Sequence, residues 1–192
     1  MRAYFASLSD YNAGHLHGVW VDLEGLDETE IQDEINAMLR RSRHPNVTYT
    51  CSECDGDNTP CDLCGGKGKY ESAEEWSIHN YDDMPNMGEN PALSDLVEYV
   101  QMKGEHGEAW DAYLDCVGAS YATESDFHEK YAGEASSEHA WVEQWIDDSG
   151  LLHGLDENLS RYFDYAAYLR DMKLGGDVSF EHIDGTVYAF WS

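Results

Sequence analysis

The chain has 192 residues, 39 of them acidic and 11 basic, for a formal net charge of −28. Nucleic acid and anionic membranes are bound through clusters of Lys and Arg, and only Arg40, Arg41 and Arg43 approach one, so neither is expected as a partner. A hydrophobic fraction of 42% with 12% aromatic residues argues for packed cores and against a disordered acidic tail, and no apolar run nears the roughly 18 residues of a spanning helix.

The opening MRAYFASLSDYNAG alternates like a strand and lacks the apolar h-region of a signal peptide, so a cytoplasmic protein is expected. RAYFASL and HGVWVDLEG share period two across SDYNAGH, which predicts paired antiparallel strands. Asp27 and Glu30 form a capping-box pair, and Ile31, Ile35, Met38 and Leu39 recur at helical spacing to about Arg41. The loop-rich stretch HPNVTYTCSECDGDNTPCDLCGGKGKYES follows, then EEWSIHNYDD resumes a strand pattern. DMPNMGENPALS reads as a linker. Beyond it, a helix capped by Ser94 carries Leu93, Leu96, Val97 and Val100, and a second carries Ala109, Trp110, Tyr113 and Leu114 to near Gly118. Phe127 and Tyr131 mark a short third helix. Ser136 or Ser137 caps a longer one that Gly150 stops, and Leu159, Tyr162, Phe163, Ala166 and Leu169 define a last one stopped by Gly175 and Gly176. DVSFEHI and GTVYAFW, around Asp184 and Gly185, predict a closing hairpin.

Four of the five cysteines, Cys51, Cys54, Cys61 and Cys64, form CxxC, six residues, CxxC. Four thiolates on two tight turns suit a tetrahedral Zn²⁺ with no open position, a structural and not a catalytic site. Each half extends with glycine, CSECDGDN and CDLCGGKG, and resembles the CxxCxGxG units in the cysteine-rich region of J-domain co-chaperones; reduced bystander thiols or a redox pair are the alternatives. Cys116 stands alone on a helix, where a thiol is ordinarily a small core residue.

No constellation points to catalysis: the chain has no HExxH, no GxSxG, no phosphate-cradling glycine loop and no EF-hand ladder. His15 and His17 alternate on one strand, and His79, His128, His139 and His153 neighbour acids, pairings that nine histidines among 39 carboxylates produce by composition. The charge is a stronger clue. Residues 121–148 hold eight acids and one Lys around Phe127, Tyr131, Trp141, Val142, Trp145 and Ile146, so this segment is built to fold while displaying negative charge. Glu134, Glu138, Glu143, Asp147 and Asp148 are expected near i,i+4 steps of a helix, about 5–6 Å apart and comparable with phosphates along one DNA strand. Duplex DNA carries two charges per base pair, so −28 equals the charge of about 14 base pairs. Adaptation to high salt, or an acidic zinc-stabilised adaptor engaging some other basic DNA-binding protein, accounts for the same composition.

The order of residues goes further. AYFASLSDYNAGHLHGVWVDLEG, WSIHNYDDMP, AWDAYLDCVG, FHEKYAGEASS, LDENLSRYFDYAAYLRDMKLGGDVSF and the terminal VYAFWS run through most of the chain and resemble the ArdA family of antirestriction proteins from conjugative elements and phages. The resemblance implies a homodimeric, elongated DNA mimic that occupies the DNA-binding groove of type I restriction-modification enzymes and catalyses nothing. It implies an α+β fold of three small domains in series: an N-terminal α/β domain with an antiparallel sheet over 1–88, a helical middle domain over 89–132, and an α+β C-terminal domain over 133–192. The acids expected to face the partner are Glu108, Asp111, Asp115, Glu124, Asp126, Glu129, Glu134, Glu138, Glu143, Asp147, Asp148, Asp156, Glu157, Asp164 and Asp171. The family's antirestriction motif is placed on residues 155–169, where Tyr162, Phe163 and Tyr165 are expected at dimer contacts. The cysteine insertion at about 45–70 departs from the commoner members.

Overall fold

The computed structural model describes residues 1–119 and 121–192. The chain is α+β and divides into two compact units, Met1–Gln101 and Met102–Ser192.

In the first unit, β1 (Arg2–Ser7) leads directly into a short helix, α1 (Leu8–Asn12), which the sequence pattern presented only as the loop SDYNAGH. Ser7 caps it, and no periodicity can emerge from five residues. β2 (Gly18–Asp22) returns antiparallel to β1, as expected. α2 (Glu28–Leu39) opens on the predicted capping box, Asp27 accepting from the Glu30 N–H and Glu30 from the Asp27 N–H. Its buried stripe, Ile31, Ile35, Met38 and Leu39, packs on β1 and β2. The cysteine loop is framed by a two-stranded hairpin, β3 (Val47–Thr50) and β4 (Lys69–Ser72). β5 (Trp76–Asp82) then pairs with the free edge of β1, giving the order β2-β1-β5. Phe5 and Ala3 on the central strand are fully buried.

α3 (Leu93–His106) starts one residue before Ser94, so the expected Ser94 cap is corrected: Ser94 lies in the first turn, where its hydroxyl meets the Asp95 carboxylate at 3.5 Å. α4 (Glu108–Val117) and α5 (Glu124–Lys130) follow, the latter capped by Thr123. Tyr131 does not belong to α5; it begins a strand, β6 (Tyr131–Ala135). α6 (Glu138–Ser149) is capped by Ser137 and closed by left-handed Gly150. The single helix expected through Leu159–Leu169 is two pieces, α7 (Glu157–Ser160) and α8 (Tyr165–Gly175), because the Asp164 carboxylate accepts from the Ala167 N–H and starts a new helix there. β7 (Val178–Ile183) and β8 (Thr186–Trp191) form the predicted hairpin; Asp184 and Gly185 both have positive φ, the type I′ geometry that Asp-Gly favours.

The second sheet has the order β6-β8-β7 and is covered on both faces. Val178 and Ala189 look toward α6 and α8, joining Trp141, Val142, Ile146, Leu169 and Met172. On the other face Phe190 meets Tyr113, Phe127 and Tyr131 from α4, α5 and β6. Double coverage explains why β8 reads as the unbroken apolar run VYAF instead of an alternating strand.

Candidate functional site: a cysteine cluster and an acidic surface

Cys51 and Cys64 are buried, and the four sulfurs of Cys51, Cys54, Cys61 and Cys64 lie within 4.8 Å of one another. The Cys51–Cys61 and Cys54–Cys64 separations are 3.5 and 3.7 Å. A tetrahedron with metal–sulfur bonds of about 2.3 Å has edges of about 3.8 Å, so the donor set fits a closed four-thiolate site. Backbone turns hold it: the Gly56 N–H donates to the Cys51 carbonyl, the Asp57 N–H to that of Cys54, and the Lys67 N–H to that of Cys64. Gly68 is required where it stands, since a Cβ there would meet the Gly56 carbonyl oxygen at 2.2 Å and its φ is +68°. Burial pushes the Cys54 thiol up to about 12, helped by the surrounding sulfurs. Burial pushes Cys64 the same way, but the Gly68 N–H and the other three cysteines hold it down to about 6. A bound cation favours the thiolate form of its cysteine ligands, and these four sulfurs are close enough together that the cluster could hold a metal ion.

The acidic candidates all lie on the second unit. Glu108, Asp111 and Asp115 share one face of α4, opposite buried Trp110 and Tyr113. Glu124 and Glu129 are exposed on α5, Glu143, Asp147 and Asp148 on α6, and Asp171 on α8. Asp156 and Asp164 are exposed caps of α7 and α8. Asp126 is half-buried. Asp111 and Glu108 both bind Lys103. Glu134 is exposed on β6, so the expected helical ladder from Glu134 through Asp148 starts only at Glu138. Glu138 itself is half-buried and engaged by Lys173 and His182. Those partners sit 35 and 44 residues away, so no local pattern announced them. The Glu157 side chain lies outside the described residues. Glu124 and Glu143 each have a histidine one turn on, His128 at 3.7 Å and His139 at 3.6 Å.

Of the three aromatic residues expected at dimer contacts, only Tyr162 projects outward, 87% exposed. Phe163 and Tyr165 pack against each other at 5.0 Å and against the α6–α8 core. Leu155 and Leu159, close to Tyr162 in sequence, are 51% and 62% exposed. Cys116 is partly buried with its sulfur 3.1 Å from the Ser179 hydroxyl.

A family model described as Antirestriction protein (ArdA) matches residues 3–186. The chain belongs to the ArdA family of antirestriction proteins. The matched range takes in most of both units. No curated protein matches the chain. Among the described residues, no helix is long and apolar enough to cross a membrane.

Proposed function

We propose that this ArdA-family chain counters restriction by charge mimicry: its carboxylates stand in for DNA phosphates and occupy the DNA-binding groove of a type I restriction-modification enzyme. The observation that carries this reading is the division of labour within the helices of the second unit. α4, α5 and α6 bury Trp110, Tyr113, Phe127, Trp141, Val142 and Ile146 while their outer faces carry carboxylates. Like charges at helical spacing cost a few tenths of a kcal/mol per pair. Full burial of each large apolar side chain contributes about 1.5–3 kcal/mol, so the core sustains the charged exterior. A zinc ion in the four-cysteine site would be structural, holding the turns of 51–68 together. The exposed Leu155, Leu159 and Tyr162 supply the surface through which two copies pair.

The test is competition. The purified chain is titrated against a type I restriction-modification enzyme bound to labelled duplex DNA, at several salt concentrations. Displacement of DNA that weakens steeply with salt is expected. Failure to displace DNA at low salt would sink the proposal.

A further inference from the structure

The negative charge is not spread over the whole chain. Residues 40–71 carry five cations, Arg40, Arg41, Arg43, Lys67 and Lys69, against five acids, Glu53, Asp55, Asp57, Asp62 and Glu71, so this segment is neutral and the entire −28 resides on the remainder. All five cations are exposed. Among the described residues none of them takes a carboxylate partner, whereas Arg2, Lys103, Arg170 and Lys173 each do. In a chain with 39 acidic residues, five neighbouring cations left open to solvent set this neutral segment apart from the acidic rest.

The surface is also tied down at both ends. The Ala73 N–H donates to the Leu39 carbonyl and the Asn46 N–H to that of Ser72, which staples the base of the β3–β4 hairpin to the end of α2, beside Arg40, Arg41 and Arg43. The Cys51 N–H donates to the Gly68 carbonyl and the four-cysteine cluster closes the far end, where Lys67 and Lys69 lie. Four residues of strand set the two cationic groups on the order of 13 Å apart. Between them Tyr49, 42% exposed, pairs with Tyr70 at 5.7 Å. Of the five acids, Glu53, Asp55, Asp57 and Asp62 lie on the cysteine turns and Glu71 is exposed on β4, opposite Thr48.

We infer that this hairpin and the end of α2 form a second contact element, which docks on an acidic protein surface bordering the groove of the same enzyme; the inference rests on the mimicry proposed above. A groove built for DNA ends where the enzyme's surface ceases to be basic, and an unbroken acidic inhibitor would be repelled there. The hairpin supplies cations and a tyrosine pair at that border. A nucleic-acid partner fits less well, because a duplex reaching the five cations would also run against a chain of net charge −28.

The test turns on the sign of an effect. The full chain with Arg40→Gln, Arg41→Gln, Arg43→Gln, Lys67→Gln and Lys69→Gln gains five units of negative charge, so mimicry alone expects displacement of DNA from the enzyme as strong as wild type or stronger. A second acidic contact expects it about tenfold weaker or more, with melting temperature and bound metal unchanged. The arginine and lysine subsets are made separately, so that misfolding of the full set leaves a readout, and each should weaken displacement about threefold. Displacement equal to or better than wild type overturns the inference and leaves mimicry standing, while a wild type that displaces nothing removes both. Wild-type binding to a short free duplex, lost in the variant, also overturns it by assigning the surface to nucleic acid.

Discussion

Among the described residues Asp10 is the one fully buried carboxylate, and its surroundings say what it does. Ser7 and Ser42 hydroxyls donate to it at 2.7 and 2.5 Å and the Arg43 N–H at 3.0 Å, which ties α1 to the segment after α2. Burial pushes its carboxyl up, yet the Ser42, Ser7 and Arg43 donors outweigh it and hold the group below its ordinary value. A depressed folded-state value means stability that is present above the unfolded carboxyl's value near 3.8 and is lost as pH falls through the folded one. Asp10→Asn puts an amide donor against three donors and is expected to cost about 1–3 kcal/mol at pH 7. Urea melts of both proteins check it: the gap between them should close as pH is lowered below 4, and a gap independent of pH would show that Asp10 acts only through its shape.

At the scale of elements, stability differs between the sheets. The β2-β1-β5 sheet has α2 across it, whereas β3–β4 is a two-stranded hairpin, a form that is marginal in water without further support. Its further support is the Ala73–Leu39 backbone bond at its base and, at its far end, the cysteine cluster. Removing metal with a chelator, or replacing Cys51 and Cys64 by Ser, is therefore expected to free the amides of 47–72 to exchange with solvent while those of Phe5 and Ile78 stay protected. Hydrogen exchange read by mass spectrometry decides it, and uniform loss of protection across the unit would mean that the cluster anchors more than the hairpin. The cysteine spacing, the Asp27–Glu30 box, the Ser137 cap and the Asp-Gly turn were legible because each is a local signal. β6 was not, since YAGEA has neither alternation nor β-branched residues, contains Gly133 at φ 99, and owes its pairing to β8 more than fifty residues on. Its register shifts between Tyr131 and Glu134, so the strand is made by tertiary context. Buried Asp10 and the Lys173–Glu138 contact were hidden for the same reason: both depend on groups distant in sequence.

For the molecule as a whole, salt separates the two explanations of a −28 charge. Self-repulsion destabilises the folded chain, so added salt should raise its melting temperature under any explanation, halophilic adaptation included. Attraction to a basic groove responds in the opposite direction, because screening over about 8 Å at physiological ionic strength weakens it. Mimicry therefore expects stability to rise and inhibition to fall within one salt titration, a crossing that adaptation to salt does not produce. The same logic applies to substitutions. Glu108, Asp115, Glu124, Glu129, Glu143 and Asp147 are exposed, so changing each to Gln or Asn should shift stability by less than about 0.5 kcal/mol. Each change should weaken displacement of DNA by a small step, and the six together should weaken it progressively while the fold persists. Loss of all inhibition from one of these changes, with folding and assembly intact, would replace a distributed array with a single critical contact.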